Sequence, residues 1–401
     1  MSESSRDARR ARRVYLDHAS ASPLLPEALL AMLPFLATES SGNAGGLHAE
    51  GRAARAAIET ARSEVALLLG ADPGEIVFTS GGTEALNLAI KGIARARRDV
   101  SRGAHRKIVT TVVERLAVLH PLKTLEREGF EVARLPVGPT GAVDAEEAVA
   151  ALDAAAALFV THHANHEIGV AQPVARIAAA ARERGIPVVC DATASAGLLP
   201  VDVPSLGADA VAITAHRLGG PMGVGALRVA PGMRLRPEIE GGTQENGLRA
   251  GTENVCGIAG LGAAARIAGA TLGARRARLE ALGARLRSGL VSRLPAIRVV
   301  SPERGGLPGL VNVTIRGLDG DALVTLLDDA GIAASSGSAC ATGAGKPSHV
   351  LLAIGVPESE ARGSLLLSLG RGNTEDDVDR ALDAIPAAVD RLLRLAAPLV
   401  D

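Results

Sequence analysis

The chain has 401 residues, 47% hydrophobic and 22% charged, which is enough for two domains with ample cores and argues against intrinsic disorder. Its formal net charge of −1 gives no footprint for nucleic acid, and the absence of any run of about 18 apolar residues predicts no span across a bilayer. Three cysteines, Cys190, Cys256 and Cys340, lack C-x-x-C spacing, which speaks against a zinc site or a disulfide framework and predicts a reducing, cytoplasmic setting.

Arg6, Arg9, Arg10, Arg12 and Arg13 form a basic run with no apolar stretch behind it, read as a solvated tail rather than a secretory signal or anchor. Val14 to Asp17 predicts a short strand, and Pro26 to Leu36 carries apolar residues at helical spacing. After a Gly-rich loop at 41–46, a helix is expected from about Gly51 to Leu69 and a buried strand over Glu75 to Phe78. Strand and helix then alternate: Ile108 to Val113 with Leu116 to Arg127, Glu131 to Leu135 with Ala145 to Leu152, and Leu158 to Thr161 with Val174 to Glu183, ending in Pro187 to Asp191. This alternation predicts an α/β fold whose large domain has a mostly parallel sheet covered by helices on both faces. Ligands of such sheets sit at the carboxyl ends of the strands, and Thr83, Asn165, Asp191 and His216 all fall just past strand ends. From about Gly251 a long helix runs to Leu294. Strands Ile297 to Val300, Leu310 to Ile315 and Leu365 to Leu369 follow, with helices Asp321 to Ala330 and Glu375 to about Leu395. The expected division is a large domain at 14–250 and a smaller α+β domain at 251–401, without internal repeats.

The motifs most informative for chemistry are Val188-Val189-Cys190-Asp191-Ala192-Thr193-Ala194-Ser195-Ala196-Gly197 and Ala212-Ile213-Thr214-Ala215-His216-Arg217-Leu218-Gly219-Gly220-Pro221. An acid ends an apolar strand, and a basic residue is presented on a later turn. That layout suits pyridoxal phosphate, with the acid on the ring nitrogen and the base toward the aldehyde. The sequence resembles the cysteine desulfurases of the class V aminotransferase fold, whose patterns read D-A-x-Q-A-x-G and S-A-H-K-x-x-G-P. The opening L-D-H-A-S-A-S-P is similar to the family's L-D-N-A-A-T-T-P, with His18 in the asparagine position.

The resemblance implies roles residue by residue. Thr79-Ser80-Gly81-Gly82-Thr83-Glu84 matches T-S-G-x-T-E, so Gly82, Thr83, Thr214 and His216 would hold the cofactor and its phosphate at a helix N-terminus. His163-Ala164-Asn165-His166-Glu167-Ile168-Gly169 resembles H-x-N-N-E-I-G, with Asn165 toward the ring oxygen and the substrate. Thr252 matches a threonine that reaches the phosphate of the other subunit, implying a homodimer or a heterodimer with an active paralogue; the alternative is a plain cap for the long helix. Cys340, in S-S-G-S-A-C-A-T-G, matches the cysteine that takes sulfur as a persulfide.

Four positions depart from the family. Arg217 replaces the Schiff-base lysine, and an arginine cannot supply the neutral amine that imine formation needs. Arg115 replaces the histidine that stacks on the ring and moves protons. Ala194 replaces a glutamine, and Leu366 the arginine that clamps the substrate carboxylate; Arg371 lies near enough in sequence to stand in for that clamp. Lys346 is the one lysine on the Cys340 loop. The resemblance thus implies a pyridoxal-phosphate protein that converts L-cysteine to alanine and passes sulfur through Cys340 to an acceptor protein. The four departures imply impairment. The alternative is a pseudoenzyme that receives sulfur from a persulfide donor or regulates an active desulfurase.

Overall fold

Short runs of valine, isoleucine and alanine with no polar alternation suit strands buried on both faces. The structure is a computed structural model that describes residues 13–36, 42–294, 296–337 and 346–396. In chain order the strands are β1 (Val14–Tyr15), β2 (Ile76–Thr79), β3 (Lys107–Thr111), β4 (Glu131–Leu135), β5 (Ala156–His162) and β6 (Val188–Asp191). They continue with β7 (Ala210–Thr214), β8 (Gly225–Val229), β9 (Ile297–Val299), β10 (Leu310–Ile315), β11 (Ile332–Ala333) and β12 (Ser364–Ser368).

A seven-stranded sheet runs in the order β2-β8-β7-β6-β5-β3-β4. Every pairing from β7 to β4 is parallel, whereas β8 runs antiparallel to both β2 and β7. Successive side chains feed opposite cores. Ile76 and Phe78 join the face covered by helices Ala49–Leu69 and Val174–Glu183. Val77 joins the face covered by Gly82–Val100 and Leu116–Arg127. The mostly parallel, two-faced sheet expected from the sequence is therefore present; β8 and its antiparallel pairings are additions to it.

A second sheet, β12-β10-β9, is antiparallel and packs with helices Gly320–Asp329 and Glu375–Ala396. Val14 and Leu16 belong to this core, and β1 pairs parallel with β11 through Val14↔Ile332. Helix Val255–Arg293 is shared by two cores. Ile258, Leu261, Ala265 and Ala268 pack under the large sheet, while Leu279, Leu282, Leu286 and Leu290 pack under the small one. By length and composition this helix could cross a bilayer, contrary to the expectation of no such stretch, but its apolar stripe is taken up by these protein cores.

Candidate cofactor site

The first corner of the site is the turn from β2 into helix Gly82–Val100. Helix N-termini leave N–H groups unpaired and favour anions. Gly82 is required by packing, because a Cβ there would stand 2.5 Å from Thr193 Cγ2 and 3.6 Å from Thr214 Cβ. Thr83 is exposed on the first turn. Glu84 secures the turn by accepting from the Ser80 N–H at 2.7 Å and from Arg249 Nε at 3.0 Å. Arg249 brings the 248–254 segment against this corner. Thr252 lies exposed there, and the cap of helix Val255–Arg293 is Asn254, which accepts from the Gly257 N–H at 3.0 Å. The helix-cap alternative for Thr252 is thereby corrected: the helix starts three residues further on.

The ends of β6 and β7 supply the second corner. Asp191 is buried, and its Oδ1 accepts from the Thr193 N–H at 2.8 Å. Arg115 enters from the turn before helix Leu116–Arg127, placing Nη1 at 2.5 Å from Thr193 Oγ1 and 3.8 Å from Asp191 Oδ2. Ala194 is buried beside them. After β7, Thr214 Oγ1 and His216 Nδ1 lie 2.9 Å apart. Burial, with Arg217 and Arg115 adding to it, lowers the His216 pKa to about 4, so this imidazole is neutral at pH 7. Arg217 sits on the one-turn helix Ala215–Leu218, which ends at Gly219 with φ 84. The N-terminal segment closes over that turn: Ser22 N–H donates to the His216 carbonyl at 2.8 Å and Ser22 Oγ to the Arg217 carbonyl at 3.2 Å.

The polar cluster after β5 divides into two roles. Asn165 is fully buried; its Oδ1 accepts from the N–H groups of Glu167 (2.9 Å) and Ile168 (3.1 Å), and its Nδ2 donates to the Val113 carbonyl at 3.0 Å. Its amide thus shapes the loop. The neighbour that reaches the open space is His166, which the sequence alone does not single out. Burial first, then the charges of Arg115 and Arg217, push its pKa well down. Glu167, also unforeseen, accepts from Ser348 Oγ, and burial raises its pKa to about 7. The only sequence signal for either is the density of polar residues after an apolar strand.

A cavity of about 560 Å³ adjoins this corner, bounded by Arg217, His166, Ala194, His18 and Arg371 among others. His18 packs its ring on Gly370, where a Cβ would lie 2.1 Å from the imidazole. Leu366 and Ala194 share one apolar cluster with Ala164, Leu199, Leu307 and Leu310. Two of the departures from the family pattern are therefore neighbours. Arg371 does not reach into that cluster; it pairs with Glu27 at 3.7 Å.

None of the four lysines lines this site. Lys91 pairs with Glu238 (3.3 Å) and Lys107 with Asp153 (2.7 Å). Lys123 is exposed on helix Leu116–Arg127, and Lys346 borders a separate small cavity with Asp319 and Asp321. Cys340 lies outside the described residues.

Comparison with known proteins gives this geometry its context. The family Aminotransferase class-V matches residues 14–381. "Cysteine desulfurase IscS 1" of Archaeoglobus fulgidus is 42% identical over 385 residues, covering 96% of this chain and 99% of that protein. The "IscS-like cysteine desulfurase" of Mycobacterium tuberculosis is 44% identical over 389 residues, 95% of this chain and 98% of its own. A solved "NIFS-LIKE PROTEIN" superposes with a TM-score of 0.87 at 34% identity, covering 95% of this chain and 100% of that one. The fold and the strand-end site define the scaffold of a pyridoxal-phosphate enzyme. The chain belongs to the class V aminotransferase family, in its cysteine desulfurase branch.

That family implies pyridoxal phosphate. The residues present suit its phosphate end, where Gly82 leaves a cradle that any side chain would fill. They do not suit its aldehyde end, where no lysine amine is at hand and a guanidinium stands at 217. They also place Arg115 beside the carboxylate that a ring nitrogen would need. Among the described residues the site therefore offers no amine to which the cofactor could be joined.

Proposed function

We propose that this chain keeps the desulfurase scaffold but not the covalent attachment of pyridoxal phosphate, and that it handles sulfur as a persulfide acceptor or regulatory partner of an active desulfurase. The placement of all four lysines away from the site carries this reading, since imine formation needs a neutral primary amine within reach. Gly82, Thr83, Thr214 and His216 would hold a phosphate without that bond. Cys340 would act by exchange. Its thiolate attacks the outer sulfur of a donor persulfide, the S–S bond breaks, the donor thiolate leaves, and the new persulfide resides on Cys340 with no net oxidation. The match of Thr252 to a threonine that crosses subunits in the family supports a dimer, with itself or with an active paralogue. A second reading, retained conversion of L-cysteine to alanine, is favoured by identity above 40% to proteins named cysteine desulfurases.

Borohydride reduction after incubation with pyridoxal phosphate, followed by intact-mass measurement, separates the two. The wild type is expected to carry no pyridoxyl adduct and to release little alanine from cysteine, while Arg217→Lys gains the adduct. With an active desulfurase and labelled cysteine, the wild type should acquire label and Cys340→Ser none. An adduct or rapid alanine release in the wild type establishes the second reading instead.

A further inference from the structure

One wall of the large cavity is apolar. Leu366 and Ala194 belong to an apolar cluster with Leu307 and Leu310, and Ala194, Leu307 and Leu310 face the cavity directly. Leu25, Leu198 and Leu279 extend that apolar lining. A zwitterionic amino acid as small as cysteine would leave most of about 560 Å³ unfilled and would bury polar groups against leucine.

The charges around the cavity are unbalanced. Among the described residues four arginines, Arg13, Arg217, Arg275 and Arg371, face it against two acids, Glu27 and Asp377. Arg13 pairs outward with Asp328, and Arg371 with Glu27. Asp377 accepts from the Thr374 N–H at 2.9 Å, at the start of helix Glu375–Ala396. Arg217 faces Asp17, whose carboxyl feels its charge. Arg275 is the exception. Its Nη2 donates to the Ala268 carbonyl at 2.7 Å, and it forms no ion pair with a carboxylate among the described residues, although it lines the cavity. Burial, and then the nearby Arg371, depress its pKa.

We propose that this cavity is a binding site for an organic monocarboxylate with an apolar body, its carboxylate held by Arg275 and its hydrocarbon lying on the Leu25, Leu198, Leu307 and Leu310 wall. The inference shares its pocket with the reading above but does not depend on lost desulfuration, because ligand binding and pyridoxyl adduct formation are separate readouts.

The test is calorimetric titration of the full-length wild type with octanoate, 1-octanol and L-cysteine. Octanoate should bind roughly tenfold or more tightly than 1-octanol, the factor expected of a charge-assisted hydrogen bond. L-cysteine should compete poorly. Arg275→Gln should erase the preference for the carboxylate while leaving 1-octanol binding unchanged, and Arg275→Lys should restore part of it, each checked for an unshifted melting temperature. Equal affinity for octanoate and 1-octanol in the wild type overturns the proposal. So does an unchanged preference in a folded Arg275→Gln, or the absence of binding at millimolar octanoate.

Discussion

Arg115 presents one N–H to the Thr193 hydroxyl and lies 3.8 Å from Asp191, the carboxylate that the family pattern assigns to a ring nitrogen. A permanent cation thus already stands beside that acid in the protein alone. Glu167 shows the reverse situation, a buried carboxyl whose pKa lies at about 7 because desolvation penalises its charge. It faces His166 at 3.6 Å, an imidazole held neutral, and the Ser348 hydroxyl. The folded pKa exceeds the unfolded one, so the stabilisation is complete below about pH 4.5 and is lost as pH rises through about 7. Glu167→Gln, which cannot ionise, is expected to be more stable than wild type at pH 8 by roughly 2–3 kcal/mol, with little difference at pH 4. Melting curves at the two pH values check this, and parallel losses in both proteins would contradict it. At this scale the sequence is legible as identity but not as aim. Arg217 and Leu366 stand out as departures, whereas the turn of Arg115 toward Asp191 and the inward placing of His166 depend on how helix Leu116–Arg127 and the 163–169 loop pack.

Among elements, the segment at 244–247 is held by its side chain rather than by its backbone preference. Glu245 and Asn246 have φ of 48 and 58, a left-handed conformation that costs non-glycine residues about 1–2 kcal/mol each. Glu245 offsets this with a paired contact to Arg62 (2.8 and 2.9 Å) and by accepting from the Phe78 N–H of β2 at 2.7 Å, while Arg62 lies over the Phe78 ring. Glu245→Ala leaves a mostly buried guanidinium and an unpaired N–H, and should cost about 3–5 kcal/mol. The double variant Arg62→Met/Glu245→Leu should recover part of that loss in urea unfolding; equal losses in the single and double variants would show the pair to be uncoupled. Long periodic elements are legible in the sequence. Leu116–Arg127, Glu131–Leu135, Val174–Glu183 and Leu310–Ile315 have the bounds their apolar patterns suggest. Strand β8 is not, because it follows a Gly-Pro-Met-Gly turn and carries Arg228, which looks like a surface residue. In fact Arg228 is buried, bound to Glu75 at 2.7 Å and to the Ala208 carbonyl at 3.0 Å. The two-residue pair β1 and β11 is too short to leave any periodicity.

For the molecule as a whole, several large apolar side chains are exposed. Leu30, Leu36, Leu47 and Met222 are 65%, 60%, 91% and 74% exposed. Where such side chains form one contiguous patch, they mark an interaction surface. A dimer is the expected state by light scattering at micromolar concentration, and Leu30→Glu combined with Leu36→Glu should shift it toward monomer; a monomeric wild type would count against the cross-subunit role given to Thr252. One further property follows from the N-terminal strand. β1 docks on β11, and the Tyr15 carbonyl accepts from Asn373 Nδ2, a partner 358 positions away in the chain. Contacts of such separation close late, because the loop entropy must be met before the contact returns anything. A chain emerging from the ribosome can assemble the seven-stranded sheet while Ser22 to Leu25, the strap over the Arg217 turn, still has its leading end undocked. The leading end of that strap is therefore secured only once residues 332–373 have been made.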